Sequence, residues 1–278
     1  MNFYGYLPRR SLRFRFACSP CYICDAVLIN SLHSPHKIFK SYGSYLCSGP
    51  KLQKHFKNFC YSPQIIMLCL YMKFRFSLSY RDIEELCQLR GLTIDHSTFQ
   101  RWVERFASLL DNQFRKRKHS VVSSWRMDET YIKVKGKWVY LYRAVDKHGA
   151  TIDFLLRAKR DKQAAKSFFK KAIKQHGKPD KINVDKSGAN KAALDSINQT
   201  YSEDQKIEIR QNKYLNNIIE QDHRFIKKRT RITLGFKSFH GANQTIKGIE
   251  ILHMIKKGQL KNNNTYRTTF EQFASLVA

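Results

Sequence analysis

Residues 123–159 read SSWRMDETYIKVKGKWVYLYRAVDKHGATIDFLLRAK. Two β-rich runs, SSWRMDETYIKV and KWVYLYRAVD, meet around Lys135, Gly136 and Lys137, and ATIDFLLRAK follows through the turn at His148 and Gly149. Three strands this close in sequence predict an antiparallel meander. The period then changes: DKQAAKSFFKKAIKQHG predicts a helix with Asp161 near its cap. Ala164, Ala165, Phe168, Phe169 and Ile173 supply its apolar face, and Gly177 with Pro179 stops it. A short strand, KINVD, ends at Asp185 in a turn containing Ser187 and Gly188. A helix over about 189–199, a short strand at KIEIR and a long helix from Asn216 complete the series.

A meander followed by alternating helix and strand predicts an α/β domain with a mixed sheet. This is the element order of a ribonuclease H-like fold. Upstream the text is helical. SPQIIMLCLYMKF offers Ser62 as an N-cap and Pro63 in the first turn. SLSYRDIEELCQLRGLTIDHSTFQRWVERFASLL reads as two further helices, Tyr80 to Leu89 closed by Gly91, then about Asp95 to Leu110. Three helices with a glycine turn before the last make a helix-turn-helix, whose final helix would present His96, Ser97, Gln100 and Arg101 to the major groove. A small packing bundle is the plainer reading of the same pattern.

The expected organisation is a poorly ordered basic extension (1–50), an all-α helix-turn-helix domain (51–110) and a basic linker, DNQFRKRKHS (111–120). The α/β catalytic domain (121–235), a C-terminal amphipathic helix packed on it (236–260) and a tail (261–278) follow. On the amphipathic helix Phe239, Ala242, Ile246, Ile249 and Leu252 form one stripe. In the extension Cys18, Cys21, Cys24, His33 and His36 could be drawn as zinc ligands, but no second matching cysteine pair follows.

Lysine and arginine total 51 against 22 acids, a net charge of +29 spread over 278 residues, which makes nucleic acid the default partner. An anionic membrane surface or a ribosomal setting would also suit the charge. Seven cysteines, an odd number in a chain this long, argue for reduced thiols and a cytoplasmic setting. The longest apolar run, Ile65 to Met72, falls far short of the ~20 residues of a membrane helix. Arg9, Arg10, Arg13 and Arg15 precede an apolar stretch that Pro20 and Asp25 interrupt, so no export signal is expected.

Three acids lie where such a fold lets them converge: Asp128 in the first strand, Asp185 closing the fourth and Glu220 on the long helix. Phosphoryl transfer wants hard oxygen ligands for two divalent ions about 3.5–4 Å apart. Glu129 competes with Asp128. Asp128 shares a strand face with Thr130 and Ile132, and Glu129 shares the other with Trp125, Met127 and Tyr131, so alternation alone leaves the choice open. In NIIEQDHRFIKKRTR, residues 217–231, Glu220, Arg224, Lys227 and Arg231 fall on one side of a helix at steps of four, three and four. An acid that grips metal and bases that grip DNA backbone fit one stripe.

WRMDETYIKVKGKWVYLYRAVDKHGATIDFLLRAKRD, VDKSGAN and KYLNNIIEQDHRFIKKRTRITLGFKSFHGANQTIKGIEILHMIKKGQ together resemble the transposases of bacterial insertion-sequence family six, a group of DDE enzymes. The resemblance covers roughly residues 51–260, includes the helix-turn-helix, and matches the spacing that leaves residues 186–219 between Asp185 and Glu220. It implies Asp128, Asp185 and Glu220 as catalytic and metal-holding acids, Mg²⁺ or Mn²⁺ as two ions, and Lys227 as a DNA contact, with Arg224 and Arg231 beside it. It also implies binding of terminal inverted repeats and target DNA, metal-dependent cleavage and strand transfer through cointegrates, and a homodimer or larger assembly near the nucleoid. No membrane and no small-molecule substrate are expected. A catalytically dead DNA-binding relic that represses its own element is the alternative; an ordinary metal nuclease is a third.

Overall fold

The computed structural model describes residues 55–76, 78–186, 188–261 and 268–277. The expected extension, its cysteine and histidine group, and Ser187 lie outside them.

Three helices lead: α1 (Pro63–Arg75), α2 (Tyr80–Gln88) and α3 (His96–Lys116). Ser62 caps α1, Ser79 and Asp82 form a capping box on α2, and the Asp95 side chain caps α3. The meander follows as β1 (Ser124–Val134), β2 (Lys137–Asp146) and β3 (Thr151–Arg157). Lys135 and Gly136, both with positive φ (49° and 77°), make the two-residue turn whose twist suits a hairpin. Next come α4 (Lys162–His176), β4 (Lys181–Asn183), α5 (Gly188–Asn198), β5 (Glu208–Arg210), α6 (Asn217–Ile232), α7 (Phe239–Lys256) and α8 (Thr269–Ala274).

The sheet order is β3-β2-β1-β4-β5, antiparallel across the first three strands and parallel from β1 through β4 to β5. That is the ribonuclease H-like arrangement, with β1 at its centre. One sheet face, carrying Trp125, Met127, Tyr142 and Ala144, closes against α4 and α5 through Ala165, Phe168, Phe169 and Leu194. The other, carrying Ile132, Val134, Val139 and Leu141, shares a single core with α6, α7 and the three N-terminal helices.

The structure departs from the sequence reading in three places. Helix α3 does not stop at Leu110; six residues of the expected linker, Asp111 to Lys116, are helical. The basic run masks a buried Phe114 and an Arg115 that binds Asp111 and the buried Asp153 of β3 at 2.9 Å each. The expected tail carries α8, whose Thr268–Glu271 capping box seeds a turn that buries Phe273, Leu276 and Val277. Phe273 meets Phe74 and Tyr71 of α1. Finally, α7 is not amphipathic. It packs against α3 and α1 as well as joining the catalytic core, so it buries Thr245, Ile249, Glu250 and Ile251 together, while Phe239, expected on the apolar stripe, is exposed.

Gly248 explains how α7 crosses α1 so closely. A Cβ there would lie 2.4 Å from three ring atoms of Phe74, which is fully buried and has nowhere to go. Glycine in a helix interior costs about 1 kcal/mol relative to alanine, and the close approach offsets it. Gly248→Ala is expected to destabilise the fold by about 1–3 kcal/mol despite the better helix propensity, as read from denaturant midpoints.

Candidate active site

Two parallel strands set the two aspartates side by side. The β1–β4 pairing ends at Arg126 opposite Asn183. Asp128 and Asp185 each follow that last pair by two residues, so both project where the parallel ladder opens into a crevice. Ligand oxygens of Asp128, Glu129 and Asp185 all lie within 4.8 Å of one another. Glu129 is buried and comes from the opposite strand face, reaching the group beside Arg160. The Arg160 guanidinium donates to Glu129 at 3.3 and 3.4 Å and to Asp185 at 2.8 Å, and Asn190 Nδ2 donates to the other Asp185 oxygen at 3.0 Å.

Helix α6 brings Glu220. Its start is tied to the end of β4 by two side-chain amides and the Asn212 backbone: the Asn183 Nδ2 donates to Asn216 Oδ1 at 2.6 Å and to the Asn212 carbonyl at 3.0 Å, and the Asn212 backbone N–H donates back to Asn183 Oδ1. Ile219, His223 and Ile226 face inward, which leaves Glu220, Arg224, Lys227 and Arg231 exposed on the outward stripe. Glu220 stands outside the 4.8 Å group, yet its charge bears on Asp128. One turn further, His223 Nδ1 lies 3.6 Å from Asp128 Oδ2. Burial, then the charges of Arg143 and Lys227, push His223 down to about 3, so at neutral pH it is an uncharged neighbour of Asp128 rather than its ion-pair partner.

The electrostatics fit a divalent cation. Burial, then the charges of Glu129, Asp185 and Glu220, push Asp128 up to about 7, and burial raises Glu129 as well. Without a cation the cluster keeps a proton that oxygen-ligated metal would replace. A carboxyl raised from 3.8 to about 7 is protonated below that pH. Divalent binding is therefore expected to release close to one proton at pH 6 and almost none at pH 8.5, with apparent affinity climbing as pH rises to about 7. Calorimetry in buffers of different ionisation heat measures the proton directly.

The other expected contacts are at the surface. His96, Ser97, Gln100 and Arg101 are exposed on the N-terminal half of α3. His96 Nδ1 lies 3.1 Å from Glu84 of α2, Gln100 donates to Glu104, and Arg101 donates to Thr98. Arg229 does not share the outward role of its basic neighbours: it donates to the Phe225 and Arg75 carbonyls, fastening α6 to the end of α1.

The sequence reading missed Arg160, Asn190, Asn183 and His223. For His223 and Asn190 the signal was available, His223 three residues past Glu220 on the same helix and Asn190 at the end of VDKSGAN, five past Asp185; for the others nothing local marked them.

A family model described as a DDE domain matches residues 122–259, and that of the Transposase IS66 family matches residues 58–180. The transposase for insertion sequence-like element IS431mec of Staphylococcus aureus is 39% identical over 213 residues, 76% of this chain and 93% of the relative. The chain belongs to the DDE transposases of bacterial insertion sequences. The transposase for IS257 in transposon Tn4003, also from Staphylococcus aureus, matches to the same extent. Among solved structures, the magnesium complex of the HTLV-2 integrase catalytic core domain has a TM-score of 0.39 at 20% identity, covering 55% of this chain and 97% of that one. Membership of the DDE transposases makes the chain a metal-dependent polynucleotidyl transferase. No helix among its described residues is long and apolar enough to cross a membrane.

Proposed function

We propose that Asp128, Asp185 and Glu220 are the catalytic acids of a family-six transposase and together hold two Mg²⁺ or Mn²⁺ ions. What supports this most is the equal offset of Asp128 and Asp185 past the last β1–β4 pair, with the charge of Glu220 bearing on Asp128. Bound there, divalent ions supply neutralisation of charge at the scissile phosphate. Arg224, Lys227 and Arg231 hold the flanking backbone, and the buried face of α6 keeps that stripe turned outward.

Water attacks the phosphodiester at the element end, the bond to the 3′ oxygen breaks, and a 3′ hydroxyl leaves. That hydroxyl then attacks a phosphodiester of target DNA, giving a joined product and a new 3′ hydroxyl. No side chain becomes covalently bound to DNA. The helix-turn-helix of residues 51–110 reads the terminal inverted repeats through His96, Ser97, Gln100 and Arg101, the acids act from residues 121–235, and a homodimer or larger assembly bridges two ends to make cointegrates. The setting is the bacterial cytoplasm, at the nucleoid.

The test is strand transfer with a supercoiled plasmid bearing the flanking terminal repeats, in Mg²⁺ or in EDTA. Metal-dependent joined products support the reading. Cleavage without joining points to a nuclease, and tight repeat binding with neither product points to a DNA-binding relic that represses its element.

A further inference from the structure

The β1–β2 hairpin leaves three aromatic rings together on the sheet face that carries Glu129. Tyr131 is 49% exposed and Trp138 61%, and Tyr140 is half-buried between them and the core. The Tyr131 ring lies 6.4 Å from that of Trp138 at 78° and 5.3 Å from that of Tyr140 at 58°. Cross-strand stabilisation accounts for Tyr131 and Tyr140, which are direct partners. Trp138, opposite Lys133, is only the diagonal neighbour of Tyr131, and that edge contact leaves most of its ring in water.

The surroundings indicate the occupant. Tyr131 is two residues along β1 from Glu129, about 7 Å from the acid cluster at the strand's rise per residue. Lys133 flanks the rings on β1, and Arg157 pairs with Tyr140 from β3. Flat rings between cations suit a base and its phosphates. A duplex hides its bases from such a surface; an unpaired strand does not.

We propose that Tyr131, Trp138 and Tyr140 are a stacking platform for unpaired bases of the DNA strand that leads to the scissile phosphate. The assignment rests on the acid cluster being the cleavage site. The platform would hold the frayed flank of an element end, or the target strand opened for joining, in line with the acids.

The experiment uses the full chain in EDTA, so that binding is read without cleavage. Of the three tryptophans, Trp102 and Trp125 are 3% and 2% exposed, so fluorescence quenching by DNA reports Trp138. The probes are oligothymidylate, an abasic strand with the same number of phosphates, and a blunt duplex. Oligothymidylate is expected to quench the wild-type fluorescence and, by anisotropy of end-labelled strands, the readout used for every variant, to bind about tenfold more tightly than the abasic strand. Trp138→Ala should remove that advantage while leaving abasic-strand and duplex binding unchanged, and Trp138→Phe, which keeps a ring, should restore most of it. Equal affinity for thymidylate and abasic strands, or an unchanged advantage in Trp138→Ala, would overturn the proposal. So would a Trp138→Ala protein that loses self-association in sedimentation yet keeps the thymidylate advantage, because the face would then be a contact between copies. Glu220→Gln should bind all three probes as the wild type does; if it also retains strand transfer, the acid assignment fails while the platform result stands on its own.

Discussion

Asp185→Asn is expected to lower strand transfer at least ~10³-fold, about 4 kcal/mol of lost transition-state stabilisation, while binding to a terminal repeat changes less than about threefold. The substitution keeps the shape of the side chain and its place beside Asn190 and Arg160 but removes the charge. Glu220→Gln should behave alike, since Glu220 is exposed and its loss leaves no buried partner stranded. Asp128 and Glu129 give the sharper comparison. Both offer an oxygen within the 4.8 Å group, but Glu129 reaches it from the opposite strand face, whereas Asp128 lies 3.6 Å from His223 of α6, the helix that carries Glu220. Asp128→Asn is expected to match the loss in Asp185→Asn, and Glu129→Gln to cost at most about tenfold by freeing Arg160. Rates measured on a pre-cleaved end with a 3′ hydroxyl isolate the joining step. A Glu129→Gln protein as inactive as Asp185→Asn would make Glu129 a metal ligand in place of Asp128.

The elements that could be read from sequence were those whose signal is local. Strand alternation and the Lys135–Gly136 turn marked the meander, and Ser62, Asp95 and Asp161 marked helix starts that the structure keeps. What failed was also local in origin: a single buried Phe114 inside a basic run carries little weight in a periodicity reading, yet it decides where α3 ends. Near the site the limit is different. Asp128 and Glu129 could not be separated by alternation because the two residues reach the same crevice from opposite faces of a strand whose edge is open beyond Arg126. Arg160, Asn183 and Arg143 act through partners 25–107 residues away, and no window of sequence contains both ends of such a contact.

Arg143→Met is expected to destabilise the transposase by about 3–5 kcal/mol, a fall in Tm of roughly 10 °C for a fold of this size. Arg143 is fully buried in β2 and donates to Glu250 of α7 at 2.8 and 3.1 Å and to Asp222 of α6 at 2.8 Å. The Asp222 carboxylate is also 2.7 Å from both His253 and Lys257, and the Arg143 guanidinium lies 4.9 Å from the centre of the Phe225 ring. Burial alone would raise Asp222; the His253 hydrogen bond and the charges of Arg143 and Lys257 hold it well below the usual carboxylate range instead. A depressed carboxyl stabilises the fold above its unfolded value of 3.8 and loses that contribution as pH falls below it, so the loss caused by Arg143→Met should shrink in acid. Removing the cation alone strands Glu250, whose side chain is fully buried. Arg143→Met combined with Glu250→Leu should therefore recover part of the stability. The double variant separates two roles for this cluster. Asp222 sits two residues beyond Glu220, and the buried ion pairs fix the rotation of α6 on β2. A double variant that regains its Tm yet stays slow in strand transfer would make Arg143 a positioning residue for Glu220; recovery of both together would leave it a stabiliser of the core alone.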